Sequence, residues 1–277
     1  LRPLLWILLS LTLSPCTTWA EAPRWQFLQH QGHRLAYQCQ GQGSPVIVLQ
    51  PPSGIAAAEA FGPVLSDLSA RRKVCFYERL GFAPSARPAP GLLQTAADYA
   101  QELAAVMNHA APGEAQVVLG YSFGGFVARL HAATHPHQVK GLLLIDAAEE
   151  DWLRSMKAQM TPEDWGRMQD ILDWFQRRLA HNVWDSQDEV RQTQLRADLP
   201  VRLLSRGLSF QRIRQAKLSE AGVALYNTLH DAGQARMEQL TQRTTRRIAT
   251  RSEHLIVESE PEAVLAELDA LLRSTAP

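Results

Sequence analysis

The sequence lacks a charge excess of either sign: 28 basic residues stand against 28 acidic ones in 277 positions. Nothing in that balance points to a nucleic-acid partner or to an anionic membrane surface. Lysine is nearly missing, confined to positions 73, 140, 157 and 217, so arginine carries most of the positive charge. Cysteine is scarce as well, with only Cys16, Cys39 and Cys75. Long apolar runs are absent apart from "LLWILLSLTL" at 4–13, which is too short to span a bilayer and is not followed by a second. Arg2 precedes that run, and "SPCTTWA" after it offers small residues before a cut after Ala20. Residues 1–20 therefore read as a signal peptide, with a mature chain from Glu21 in an exported, oxidising compartment, periplasmic or extracellular. No stable membrane insertion is expected once the peptide is removed. Lipid attachment at Cys16 is not expected either, because Pro15 stands where a small residue belongs. No internal repeat or low-complexity segment is present.

What remains is a chain long enough for one α/β domain, or for a domain carrying an insert. Apolar residues make up 45% and charged residues 20%, the ordinary range for a soluble enzyme. Two early strands are expected around Gln31-Gly32, then continuous apolar strands at 45–50 and 73–78. A helical spacing over 92–111 stops before Pro112 and Gly113. Next come a strand before Ser122, a helix after it, and "KGLLLID", a strand ending at Asp146. This alternation predicts a mostly parallel sheet flanked by helices. Between 147 and 199 the rhythm breaks into helix-forming stretches that hold four of the seven tryptophans, Trp152, Trp165, Trp174 and Trp184. That span reads as a helical cap inserted into a core of 21–146 and 200–277, which resumes with "PVRLLS", "RRIAT" and a last helix. Without 1–20, Cys39 and Cys75 form an even pair, open to one disulfide or to two separate buried thiols.

The stretch "VVLGYSFGGFVARLHAA" puts Ser122 on a tight turn between a buried strand and a helix. Small neighbours suit a strained turn with close backbone packing, and the helix N-terminus favours negative charge at the same spot. A nucleophile beside a tetrahedral oxyanion needs those features.

With these motifs the chain resembles the α/β-hydrolase fold superfamily, from about Gln26 to the C-terminal helix. "VIVLQPPSG" is similar to the family's strand and oxyanion loop, "VCFYERLGFAPS" to its tyrosine–acid–arginine–x–glycine segment, "GYSFGG" to its nucleophile elbow, and "IATRSEHLIVESEPEAV" to its histidine loop and closing helix. Glu78 stands where the family usually has Asp, and Ala83 where it often has a second Gly. Both lie in a supporting loop, where they bear on substrate fit more than on chemistry. In this fold the second strand lies antiparallel beside the fourth, which implies that Cys39 and Cys75 are within bridging distance.

Of nine histidines, His254 alone follows a late strand and precedes the final helix, where the family's chain order places the base. His131, His135 and His137 sit around the end of the helix after Ser122, where a helix C-terminus welcomes positive charge. Their spacing loosely resembles a metal site, but no carboxylate or Cys lies nearby to complete it. His181 falls in the cap, and His230 in a helical stretch with polar neighbours. For the oxyanion hole the resemblance implies the N–H of Phe123 and one from the loop after "VIVLQ". Pro51 and Pro52 have none, so Ser53 is taken, with Gly54 next.

The acid is the open member. In the commonest form of the fold it follows the strand after the cap, but Arg206, Gly207, Leu208 and Ser209 hold no carboxylate, and Glu220 and Asp231 are distant. Some members place it at the end of the earlier strand, which here is Asp146. A structural alternative has Asp146 accepting from the cap's first amides. The expected activity is hydrolysis of a small-molecule carboxylic ester with an apolar acyl or alcohol group, without metal or organic cofactor. Two alternatives stand beside it. One is an amidase or aminopeptidase that holds a substrate amine with Glu149, Glu150 or Asp151; the other is a non-catalytic binding protein on the same scaffold.

Overall fold

Uninterrupted apolar runs account for most of the strands. The computed structural model describes residues 24–275, so the signal-peptide and Cys16 readings lie outside the described residues. In chain order the strands are β1 (Gln26–His30), β2 (His33–Gln40), β3 (Val46–Gln50), β4 (Val74–Glu78), β5 (Gln116–Tyr121), β6 (Val139–Ile145), β7 (Val201–Arg206) and β8 (Thr244–Ala249). They form one sheet in the order β1-β2-β4-β3-β5-β6-β7-β8. The β1–β2 and β2–β4 pairs are antiparallel and every other pair is parallel. Every residue of β3, β4 and β5 is buried, because helices cover both faces.

The helices are α1 (Ala57–Ala60), α2 (Gly62–Arg71), α3 (Ala96–Ala110), α4 (Gly124–Thr134), α5 (Trp152–Gln159), α6 (Pro162–Leu179), α7 (Val183–Arg191), α8 (Glu220–Arg236), α9 (Ile256–Ser259) and α10 (Pro261–Ser274). Helix α3 begins at Ala96 rather than near 92, because Thr95 and Asp98 close a capping box there. Strand residues alternate between two apolar layers. Val48, Val118 and Leu142 meet α3 and α4, while Ile47, Leu49 and Leu119 meet α2 and α10. Each fully buried side chain of this kind stabilises the fold by about 1.5–3 kcal/mol. None of the described helices is long and apolar enough to cross a membrane.

A third apolar cluster lies apart from the sheet. Leu153, Met156, Met160 and Met168 come from the span between β6 and β7, as the sequence suggested. Ile213, Val223, Tyr226 and Leu229 join them from the span between β7 and β8, contributed by a short 3-10 helix (Gln211–Ala216) and by α8. The roof over the sheet thus draws on residues outside 147–199.

Cys39 and Cys75 are direct partners in the β2–β4 register, with Cα atoms 4.2 Å apart, and they form a disulfide. The bond links positions 36 residues apart. Replacing both with Ala is expected to lower stability by about 2–4 kcal/mol, through the freedom returned to the unfolded chain. Denaturant midpoints with and without reductant check this: reductant should shift the wild type and leave the double variant unmoved.

Candidate active site

Ser122 sits between β5 and α4 with φ of 53°, in the left-handed region. For a residue with a Cβ this costs about 1–3 kcal/mol unless its surroundings enforce it. Here they do. The Ser122 N–H donates to the Ile145 carbonyl at 3.0 Å, and the Ser122 carbonyl accepts from the Gly125 and Ala148 amides at 2.9 and 3.0 Å. The glycines make the close approach possible. A Cβ on Gly120 would lie 2.7 Å from the Gly124 carbonyl oxygen, and one on Gly124 would overlap the Gln50 carbonyl. No side chain caps the first turn of α4, whose N-cap residue is Phe123.

The strand expected to end at Asp146 ends one residue earlier, because Asp146 leaves the extended region with φ of 37°. That turn aims its carboxylate at His254, whose Nδ1 lies 2.6 Å from Oδ2. The Asp146 side chain is fully buried and is surrounded by donors. Oδ1 accepts from the Arg206 amide at 3.1 Å, Oδ2 accepts from the Arg206 guanidinium at 3.3 Å, and His230 Nε2 stands 3.4 Å from Oδ1. Burial alone pushes this carboxyl up. His230, His254 and Arg206 together outweigh burial and hold it well below the usual carboxylate range. The carboxylate thus accepts from Arg206 and His254 rather than from the cap's first amides.

The loop after β3 is held from two sides. Arg79 is buried and donates to the carbonyls of Pro51 at 2.9 Å and Pro52 at 3.4 Å, while its guanidinium lies over the rings of Tyr99 and Phe123. The Ser53 hydroxyl lies 3.3 Å from His181 Nδ1. Glu78, the departure from the family pattern, accepts the Ala57 and Ala58 amides at 2.7 and 3.0 Å and so fixes the start of α1.

Ser122, His254, Asp146, Phe123 and Ser53 all line one cavity of about 870 Å³. Its wall from the roof is mostly apolar, with Trp152, Leu153, Met168, Ile171, Trp174 and Phe175 among the contributors. The acidic run at 149–151 is already paired. Glu149 meets Arg236 at 2.7 Å, Glu150 meets Arg129 at 2.6 Å, and Asp151 meets Arg191 at 2.6 Å.

Three neighbours of the site were not singled out from sequence: Arg206, His230 and His181. A signal existed for His230, because it shares the buried face of α8 with Val223, Tyr226, Asn227 and Gln234 at helical spacing. His131 needs a correction. It does lie in the last turn of α4, but as a buried imidazole 2.8 Å from Gln116 Oε1 rather than as a cation, and burial, aided by the nearby His135, pushes its pKa down to about 3.

A strained serine turn on a mostly parallel sheet, under a helical roof, defines a class of enzyme folds. A family model described as the alpha/beta hydrolase fold matches residues 46–250, and the chain belongs to that family of hydrolases. The proline iminopeptidase of Heyndrickxia coagulans is 29% identical over 140 residues, which make up 47% of this chain and 48% of that protein. The chain thus matches about half the length of that curated relative. Among solved structures, a probable hydrolytic enzyme from Pseudomonas aeruginosa PAO1 has a TM-score of 0.66 at 16% identity, over 94% of this chain and 96% of that one. A thermophilic esterase from Thermogutta terrifontis has a TM-score of 0.61 at 16% identity, over 92% of this chain and 100% of that one. At such identities the likeness is one of fold.

Proposed function

We propose that the chain is an exported serine hydrolase that cleaves carboxylic esters with an apolar acyl or alcohol group. The observation that carries this reading is the 2.6 Å contact between Asp146 Oδ2 and His254 Nδ1, at the cavity where Ser122 sits on its strained turn. An ionised Asp146 accepts a hydrogen bond from the Nδ1–H of His254, which keeps the proton on Nδ1 and leaves Nε2 bare, so that His254 can act as a base. Ser122 Oγ then attacks the ester carbonyl while Nε2 takes its proton. The negative oxygen that forms is held by the Phe123 and Ser53 amides. When the tetrahedral species collapses, the alkoxide leaves with the proton from His254, and an acyl ester remains on Ser122. Water repeats the sequence and releases the acid. No step requires a metal or an organic cofactor. The disulfide supports an oxidising compartment.

The name of the iminopeptidase relative favours the same residues acting on a peptide N-terminus. Such an enzyme needs an available carboxylate to hold the substrate amine. Of the three acidic residues weighed for that task, each is paired with an arginine. Asp170 also lines the cavity, but it is exposed. The apolar wall therefore favours the ester.

The test sets p-nitrophenyl esters of graded acyl length against aminoacyl p-nitroanilides, prolyl included. We expect kcat/KM to rise with acyl length and to exceed that of any anilide by at least about 100-fold, as one unmatched buried polar group discriminates. Faster turnover of the prolyl anilide would replace the ester reading with the peptidase one.

A further inference from the structure

From its contacts we infer that His181 is a positioning residue that holds both residues of the oxyanion hole at once. The inference rests on the serine-hydrolase reading above and extends it to a side chain from the roof. His181 follows α6 after the left-handed turn at Ala180. Its backbone is pinned to the core on both sides: the Gln94 amide donates to the Ala180 carbonyl at 2.7 Å, and the Asn182 amide donates to the Gln94 carbonyl at 2.9 Å. The ring has little room to move. It is 1% exposed, stacks on Phe123 with centroids 5.0 Å apart and planes 24° apart, and meets the edge of Tyr99 at 5.1 Å.

One imidazole thus touches both residues whose amides would bind the oxyanion, Phe123 by stacking and Ser53 by a 3.3 Å contact to its hydroxyl. The loop bearing Ser53 has Gly54 after it, with φ of 78°, so on that side the sequence does little to fix the backbone around Ser53. Arg79 holds the two proline carbonyls. His181 supplies the remaining tether, at the donor residue itself. The ring does not compete with His254 as a base. Burial first, and then the charge of Arg79, push its pKa down to about 3, so it stays neutral while the enzyme works. A displacement of about 1 Å in such a donor costs on the order of 100-fold in rate, and loss of one donor about 100- to 1,000-fold.

The test uses the full enzyme with three variants. His181→Phe keeps the stack and the burial but removes the polar contact. His181→Asn restores a polar group near the Nδ1 position. Ser53→Ala removes the hydroxyl and keeps the amide. We expect His181→Phe and Ser53→Ala each to lower kcat by about 10- to 100-fold with KM within about twofold. Inhibition by an alkyl boronic acid, which becomes a tetrahedral anion on the serine, should weaken by the same factor as kcat. The double variant should lose no more than either single one, and His181→Asn, which restores the polar contact to Ser53 but not the stack on Phe123, should recover only part of the loss. If His181→Phe does not fold, Ser53→Ala and His181→Asn carry the test alone. Wild-type kcat and boronate affinity in Ser53→Ala would overturn the inference, as would losses in His181→Phe that simply add to it. Fluorophosphonate labelling of wild-type Ser122 separates the two levels. Without labelling, the serine-hydrolase reading falls and takes this one with it; with labelling and unaffected variants, only the role of His181 falls.

Discussion

Ser122→Ala is expected to fold normally and to lose ester hydrolysis by about 1,000- to 1,000,000-fold, the scale on which an activated serine nucleophile contributes. The substitution removes one oxygen atom and leaves the backbone bonds of Ser122 to Ile145, Gly125 and Ala148 in place. Ala is as strained as Ser at φ of 53°, so no stability change masks the kinetic one. Covalent labelling by a fluorophosphonate should vanish in the same variant. That outcome separates an enzyme from a non-catalytic protein on a hydrolase scaffold. Retention of more than about a tenth of the turnover would rule Ser122 out as nucleophile, since no intact attacking group would remain on the elbow.

Asp146→Asn should lower kcat by about 100- to 10,000-fold and move KM little. The cause is tautomeric. An amide offers a donor to His254 Nδ1, which drives the imidazole proton to Nε2, where the base must be bare. Stability should fall too, by about 3–5 kcal/mol, because the Arg206 guanidinium, 2% exposed, loses its counter-charge. Kinetics are therefore measured well below the melting temperature of the variant. Acid adds an independent signature. The folded Asp146 carboxyl is held below its unfolded value of about 3.9. Its contribution to stability is complete above that value and is lost as pH falls through the lower folded pKa. The wild type should accordingly lose stability below about pH 4 more steeply than Asp146→Asn, in which the group no longer titrates. Asp231→Asn and Glu220→Gln are the controls. Asp231 is 64% exposed in its side chain, and Glu220 pairs with Arg214. A larger kinetic loss in either one would move the acid away from Asp146.

The parallel strands could be read from sequence because burial on both faces leaves runs such as "VIVLQ" and "LLLI", which few other structures need. The positions of Ser122, Asp146 and His254 could be read for a related reason. Each stands at or just past the carboxyl end of a strand, so the order of strands is enough to bring them near one another. The groups around them come from elsewhere in the chain. Nothing local in "LSRG" says that Arg206 turns back onto Asp146, and nothing near His181 says that it reaches Ser53 across a sequence distance of 128 residues. The acidic run at 149–151 shows the same limit. As sequence it is a solvated run or a site for amines; in the fold each of its members finds an arginine, at positions 236, 129 and 191. His131 was misread because a place near a helix end carries less weight than burial.

The roof over the cavity is stitched to the sheet at four chain crossings. One segment leaves after β6 and re-enters at β7; another leaves after β7 and re-enters at β8. Tyr226 and Leu229 of the second segment pack into the same cluster as Leu153 and Met156 of the first. A ceiling built in this way cannot be exchanged as a cassette. Grafting a relative's segment between β6 and β7 would leave half of the old ceiling behind, with apolar side chains shaped for a partner no longer present. New substrate ranges in this scaffold are to be sought by changing matched residues across that seam.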